Sequence, residues 1–257
     1  MAWQTPKTNW SSADGVRDTD FNRIEGNILE LYDASGLKTN KTVYVHPTTG
    51  NDETGAGTSA SPYATIAKAL SVLPRNTESY DAFISLGSGI YNENVTIKGF
   101  TGKVVLTGAS SGQVTVNSLT VDGCVCMVNS ITLKAQSSGT AITVTNCGAL
   151  LCTSGNLAAH NTSTGTICVN VSNGSTLLVA NTLTCTGVGG GTGLSCNACS
   201  RAHVYTLAGN NKANGMEAGN GSILSYVVAS MTVSGTLSLT FTGGRIYSGA
   251  QTSVPVY

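Results

Sequence analysis

The acidic residues set the first limit on the chemistry of this chain, because from Asn94 to Tyr257 its only carboxylates are Asp122 and Glu217. Glycoside hydrolysis uses two carboxyl groups about 5 to 9.5 Å apart. If this stretch folds into successive coils, several coils separate the two residues at about 5 Å per coil. A cleavage site would then need carboxyl groups from different subunits. Upstream, Asp81 and Glu93 are interpreted as turn caps, and the Asp52–Glu53 pair as a solvated part of a glycine-rich loop.

The eight cysteines all lie between Cys124 and Cys199. Cys196 and Cys199 have CxxC spacing, but a zinc site needs further ligands, and His203 is the only close candidate. Free thiols that pack as small apolar side chains in the core are the better interpretation. The histidines have no evident nucleophile or carboxylate partner. We therefore expect no metal, no cofactor and no catalytic residue.

The composition excludes several classes of partner. Charged residues make up 10% of the chain, the formal net charge is zero and there are 31 glycines. A neutral chain without basic clusters predicts no binding to nucleic acid. No apolar run approaches the ~20 residues that span a bilayer, so membrane insertion is not expected. The first ten residues lack the apolar core of a signal peptide, which predicts synthesis in a cytoplasm.

A loose repeat organises the second half of the chain. Segments that read as strand, Asn/Ser/Gly turn and second strand follow Gly139, Gly165, Gly193 and Gly215, at spacings in the twenties. Short strands at such a period are typical of β-solenoids. Asparagine and glycine suit the left-handed turn positions that such coils need. A β-sandwich would show hairpin signals instead, and we favour the solenoid.

The N-terminal stretch contains a predicted amphipathic helix over about residues 20–33. Asp18 and Asp20 are suitable N-caps. Apolar residues at the spacing of a single helical stripe are Phe21, Ile24, Ile28 and Leu31. Because so short a helix is not stable alone, its stripe must pack on its own domain, on other copies of the chain or on a partner protein.

A strand at residues 42–46, a Gly/Asp-rich loop and a second predicted helix, at about residues 62–73, follow. The second helix places Ile66, Leu70 and Leu73 on one face and ends before Pro74. This order resembles the entry module of pectate-lyase-like right-handed parallel β-helices, and the matching residues are Val43–Val45, Gly50–Gly55 and Pro62–Leu70. In that family the helix caps the first coil. The family's catalytic clusters of Asp are not found on this coil, so the resemblance does not carry catalysis over.

A second resemblance lies at the N-terminus. Trp3 and Trp10, followed by the motif Asp20-Phe-Asn-Arg-Ile-Glu-Gly-Asn27, resemble the N-terminal segment of tail-associated proteins from phages of Gram-positive bacteria. The resemblance covers about a tenth of the chain and implies a segment that joins a variable distal module to the virion. Candidate attachment residues are Trp3, Trp10, Phe21, Asn22, Arg23, Ile24, Glu25 and Ile28.

These observations predict an all-β, right-handed parallel β-helix (residues 42–257) with a short N-terminal helical attachment segment (residues 1–41), assembled as a homotrimer. The predicted function is a spike, fibre or baseplate-appended protein of a phage or prophage tail, made in the bacterial cytoplasm and located in the virion. Its partners would be other tail proteins and a host cell-surface glycan or protein. Candidate receptor contacts, with trimer packing as their alternative role, are Arg201, Tyr205, Tyr226, Arg245 and Tyr247. Two alternatives remain open: a polysaccharide depolymerase (glycosidase or lyase) on the same scaffold, and a non-binding structural spacer.

Overall fold

The computed structural model describes residues 4–9, 11, 13–34, 39–77, 80–108, 113–240 and 242–248. Two helices precede or interrupt the strands, α1 (Asp18–Ala34) and α2 (Ile66–Val72). The strands are β1 (Lys41–Val45), β2 (Ala82–Leu86), β3 (Gly89–Ile90), β4 (Asn94–Lys98), β5 (Lys103–Gly108), β6 (Gln113–Val116), β7 (Ser118–Asp122), β8 (Val125–Ser137), β9 (Ile142–Thr145), β10 (Ala149–Asn161), β11 (Val169–Val171), β12 (Thr176–Gly187), β13 (Thr192–Cys196), β14 (Arg201–Lys212), β15 (Asn214–Ala218), β16 (Ile223–Val233), β17 (Ser238–Thr240) and β18 (Arg245–Ser248).

Two parallel sheets wind around a common core. The first sheet has the order β1-β2-β5-β8-β10-β12-β14-β16-β18, with β3 and β6 paired beside it. The second sheet has the order β17-β15-β13-β11-β9-β7-β4. Strands of the two sheets alternate along the chain from β7 onward, so each coil adds one strand to each sheet. The predicted β-solenoid is confirmed, as a parallel solenoid of about seven turns.

The core consists of straight columns of inward side chains, one residue from each coil. The register connects Val128 to Cys152 and Cys152 to Val179, and all three are 0% exposed. A parallel column places each apolar side chain on the corresponding one of the next coil, so burial is repeated along the axis. Cysteine fits such a column because it is a small apolar side chain. Burial raises the pKa of Cys152 to about 11, which keeps this thiol neutral and unreactive.

The corner between the second and the first sheet is a stack of left-handed turns. The residues with positive φ include the pairs Asn146–Cys147, Asn173–Gly174 and Asn220–Gly221. Backbone hydrogen bonds join successive turns, such as Cys147 N–H to Asn173 O (2.9 Å). The predicted left-handed role of asparagine and glycine is therefore confirmed. The prediction that all thiols lie in the core is wrong for Cys147 and Cys199, because both occupy exposed positions of this corner.

Helix α2 is shorter than the predicted helix over residues 62–73. Its N-cap is Thr65, whose hydroxyl accepts a hydrogen bond from Lys68 N–H (3.0 Å). The residues before Thr65 cannot be helical, because the backbone of Tyr63 pairs with Tyr44 and His46 beside β1. Ile66 and Leu70 are buried against the first coils, in contact with β1 and β4.

Candidate attachment surface

The carboxylates of the solenoid do not form a pair. Asp122 ends β7 and accepts a hydrogen bond from Asn146 Nδ2 (2.7 Å), whereas Glu217 lies on β15 and accepts one from Ser195 Oγ (2.6 Å). In the second sheet, β7 and β15 are four steps apart. At ~4.8 Å per step the two strands are separated by about 19 Å. This distance is outside the range that glycoside hydrolysis uses.

Two acidic residues of the first coils stabilise helix α2. Glu93 accepts hydrogen bonds from Ile66 N–H (2.9 Å) and Ala67 N–H (2.8 Å), at the positive end of the helix. Asp52 accepts bonds from Ala64 N–H and from both the backbone and the hydroxyl of Thr65. The interpretation of Asp52 as merely solvated is therefore wrong, and Glu93, predicted to cap a turn, caps helix α2 instead. Burial by itself would raise the pKa of Asp52, but the bonds from Thr65 and Ala64 outweigh it, and the pKa is lowered.

Asp81 has a different partner. Its carboxylate forms an ion pair with Lys103 Nζ at 3.0 Å, between the start of β2 and the start of β5. The histidines likewise have polar neighbours of the ordinary kind: His160 contacts Thr186 Oγ1 (2.8 Å) and His203 contacts Ser225 Oγ (2.7 Å). Within the described ranges, no three His, Cys, Asp or Glu side chains are grouped so that they could hold a metal ion.

The CxxC pair is divided between the inside and the outside of the solenoid. Cys196 belongs to the core, whereas Cys199 is exposed at the corner turn, so their thiols do not face a common point.

A more unusual group lies inside the late coils, where Lys212 is 0% exposed. Its ammonium donates to Asn161 Oδ1 (2.7 Å) and Thr166 O (3.0 Å). Cys168 donates to the same Asn161 oxygen.

The thiols of Cys168 and Cys185, which are neighbours in this polar group, have pKa values shifted in opposite directions. A hydrogen bond from Cys185 and the charge of Lys212 lower the pKa of Cys168, although burial opposes this. The same hydrogen bond, together with burial, raises the pKa of Cys185. Both thiols are buried. The hydrogen bonds among Lys212, Asn161, Thr166 and Cys168 therefore satisfy polar groups that are buried in this part of the core.

The motif residues of α1 have two different functions in the structure. The polar ones bind the preceding segment: the side-chain amide of Asn27 accepts from Gln4 N–H (2.9 Å) and donates to Gln4 O (2.8 Å). Arg23 forms an ion pair with Asp20 at 3.5 Å and reaches Thr5 O. A groove of about 610 Å³ between the segment and the helix is lined by Gln4, Thr19, Asn22, Arg23, Glu25, Gly26 and Leu29.

The apolar residues of the motif point away from that segment and remain exposed. The exposed fractions are 57% for Phe21, 44% for Ile24 and 60% for Ile28, and Leu31 continues the stripe at 58%. We call these four residues the α1 stripe. Aliphatic and aromatic side chains in a row are costly in water, because each would gain about 1.5 to 3 kcal/mol on full burial. The stripe is thus a candidate contact surface. Trp3 and Trp10, predicted to contribute to it, lie outside the described residues.

The candidate receptor contacts do not all share one surface. Arg201, Tyr205, Arg245 and Tyr247 lie on the outer face of the first sheet, and Tyr205 is 52% exposed. Tyr226 instead continues the inward column after Val204 and packs against the core. It is therefore partly buried against the core, and the prediction that it is an exposed contact beside the other four is wrong.

Two features were missed by the sequence interpretation. The role of Asn27 could have been suspected, because it is the last polar residue of the motif and lies one helical turn after Arg23, at the flank of the apolar stripe. Lys212 gave no signal, since a lysine at the end of an alternating strand is normally solvated.

Comparisons with known proteins do not identify a relative. No protein-family model, no curated protein and no solved structure matches the chain. None of the helices among the described residues is both long and apolar enough to cross a bilayer.

Proposed function

We propose that this chain is a non-catalytic component of a phage or prophage tail, a homotrimeric, right-handed parallel β-helix that joins the virion through its N-terminal segment and presents its coils to the host cell surface. The observation that carries the proposal is the α1 stripe: four apolar side chains exposed on one helix face, beside a motif that resembles virion-attachment segments. Apolar and aromatic anchors that enter pockets on a partner supply most of the affinity of protein interfaces.

The outer coils would contact a glycan or protein of the host envelope. Tyr205, Arg201 and Arg245 are exposed, and aromatic faces and guanidinium groups suit the apolar faces and hydroxyls of sugars. Each contact would be shallow, but several copies on one particle raise the overall affinity by the effective-concentration effect.

The attachment part is tested in particles from a strain that carries the gene. A Phe21→Ser, Ile24→Ser, Ile28→Ser variant should be lost from purified particles, as should a chain that lacks residues 1–40. The matched control is Val188→Ser, which removes an equally exposed apolar residue (51%) from the solenoid and should be incorporated normally. Normal incorporation of the triple variant, at wild-type protein level, would refute the attachment role of the α1 stripe.

The competing function is a polysaccharide depolymerase with a site formed between subunits. Asp52 and Glu93 cap α2 and Asp81 is paired with Lys103, which leaves Asp122 and Glu217 as the candidate carboxylates. Because these two lie on strands four steps apart, a site within one chain is disfavoured. Release of sugar fragments from host envelope polysaccharide by the purified chain would establish the depolymerase. An Asp122→Asn, Glu217→Gln double variant would then show whether these two residues are responsible.

A further inference from the structure

One column of side chains on the outer face of the first sheet contains no charged residue. Strand by strand, the register joins Thr42, Phe83, Val105, Met127, Leu151, Leu178, His203, Ser225 and Tyr247. We call this the outer column. It follows the solenoid axis without interruption, and five successive members, from Phe83 to Leu178, are apolar.

The alternation of each strand shows that this column faces outward. Met127 lies between Cys126 and Val128, which are both 0% exposed in the core, and Leu151 lies between the equally buried Leu150 and Cys152. Because successive side chains of a strand point to opposite faces, Met127 and Leu151 point away from the core.

The strands that contribute the apolar members also lack the usual alternation with polar residues. The segments 104–106, 125–128 and 149–152 are apolar at every position. Such continuous runs are typical of strands whose sheet is covered on both faces. Val105 is already buried in the single chain at 1% exposed, whereas Phe83, Met127, Leu151 and Leu178 are only partly buried. Among the described residues, α2 does not cover these four, since its strand contacts are with β1 and β4 at the end of the solenoid.

The dimensions of the face fit a second copy of the chain. Its nine strands span eight steps, or about 38 Å at ~4.8 Å per step, and a five- to six-residue strand is about 17 to 20 Å long. The resulting face of about 700 Å² is close to the ~800 Å² that each partner contributes to a stable interface.

The straightness of the column adds a symmetry argument. Rotation about an axis parallel to the solenoid places every coil beside the same coil of the next copy, so each member of the column meets the same member of the next copy. The five apolar members, which span four of the eight steps, then meet each other. Such an arrangement closes as a cyclic oligomer.

We propose that the outer column is the surface through which copies of this chain pack together, side by side and in the same direction. The inference rests on the proposed homotrimer and names the face that forms it. It also assigns Tyr247 to contacts between subunits instead of to a receptor, and leaves Tyr205 and Arg201 at the margins of the interface.

The test is the mass of the full chain in solution, measured by sedimentation over a range of concentrations. Wild-type protein should have a multiple of 26.2 kDa, three chains on the proposed function. Leu151→Asp, which places a charge in the column, should have the mass of one chain. The control is Ala158→Asp on the same strand, also outward and half-buried, with Lys134 and Thr184 as register neighbours; it should keep the wild-type mass.

A second measurement covers the case in which Leu151→Asp fails to fold, as judged by circular dichroism. A photoreactive residue at position 178 of the otherwise wild-type chain should link peptides of the same coil from two copies. Wild-type mass for a folded Leu151→Asp, or links from position 178 to other surfaces only, would overturn the inference while leaving the homotrimer intact. A wild-type mass of one chain would overturn both, but would not affect the particle test of the α1 stripe.

Discussion

The register shift in β10 lies at a glycine that no other residue can replace without strain. Gly155 lies in β10 with φ of 117°, where the pairing register shifts by one residue against β8. A Cβ built on Gly155 would meet the backbone of Ile131, including its carbonyl oxygen. Gly165 also has a positive φ, the smaller one of 74°, but a Cβ there would have no atom within 4 Å. Comparison of alanine variants at these two positions therefore distinguishes the cost of backbone strain from the cost of a steric clash.

Replacement of each glycine by alanine has a different predicted cost. The positive φ alone costs about 1 to 2 kcal/mol for an L-residue, and this applies to both variants. The clash with Ile131 adds about 1 to 3 kcal/mol to Gly155→Ala, since neither backbone can move freely within the ladder. We expect Gly155→Ala to be less stable than Gly165→Ala by about 2 kcal/mol, or roughly 4 to 8 °C in Tm for a chain of this size.

Thermal and urea unfolding of both variants, followed by circular dichroism, measure this difference. Equal midpoints for the two variants would refute the reasoning, because they would mean that the backbone of Ile131 does not limit the space at Gly155. The comparison should be made at one protein concentration, since association of copies raises the apparent stability.

Three further predictions concern side chains inside and at the entry of the solenoid. Asp52→Asn should cost about 1 kcal/mol at neutral pH. The pKa of folded Asp52 is below the unfolded value near 3.9. Its contribution to the free energy of unfolding is therefore fully present above about pH 4 and is lost as the pH falls through the folded pKa. Urea titrations across this range should show the loss in wild type and in the control Glu53→Gln, but not in Asp52→Asn. Lys212→Met should lower the free energy of unfolding by about 1 to 3 kcal/mol, because the oxygens of Asn161 and Thr166 lose a donor. The control Lys134→Met, on the outer face, should change the free energy of unfolding by less than ~0.5 kcal/mol. A Lys212→Met variant more stable than wild type would contradict this prediction. Alkylation of the native protein should modify Cys147 and Cys199 only, and mass spectrometry after unfolding should find the six buried thiols unmodified; early modification of Cys168 would mean that the polar group is open to solvent.

The solenoid could be predicted from sequence because its physical determinants are local and repeated. Asparagine and glycine specify left-handed turns at several corners, as at Asn146 and Asn173, whereas Ala198 and Cys199 occupy the same position in another coil. The end of a helix is harder to predict when tertiary pairing competes. Pro62 and Tyr63 fit a helix start by composition, but the backbone of Tyr63 completes the ladder beside β1 instead.

The direction of individual side chains could be predicted less well than the strands that carry them. Tyr226 belongs to β16 and Tyr247 to β18, and only the register places the first inward and the second outward. The outer column was invisible for the same reason: its members are distant in sequence, and parallel pairing alone brings them into one line. The α1 stripe, by contrast, follows from helical spacing, and its residues are exposed as one face of α1.

The most direct test of the proposed function is the position of the chain on a virus particle. Tailed particles released from a strain that carries the gene would be labelled with gold-conjugated antibody against the solenoid and viewed by electron microscopy. The account predicts gold at the tail of intact particles, at a distance that reflects a coil projecting from its N-terminal attachment. Particles that carry no label, while the chain is abundant in the same lysate, would contradict it.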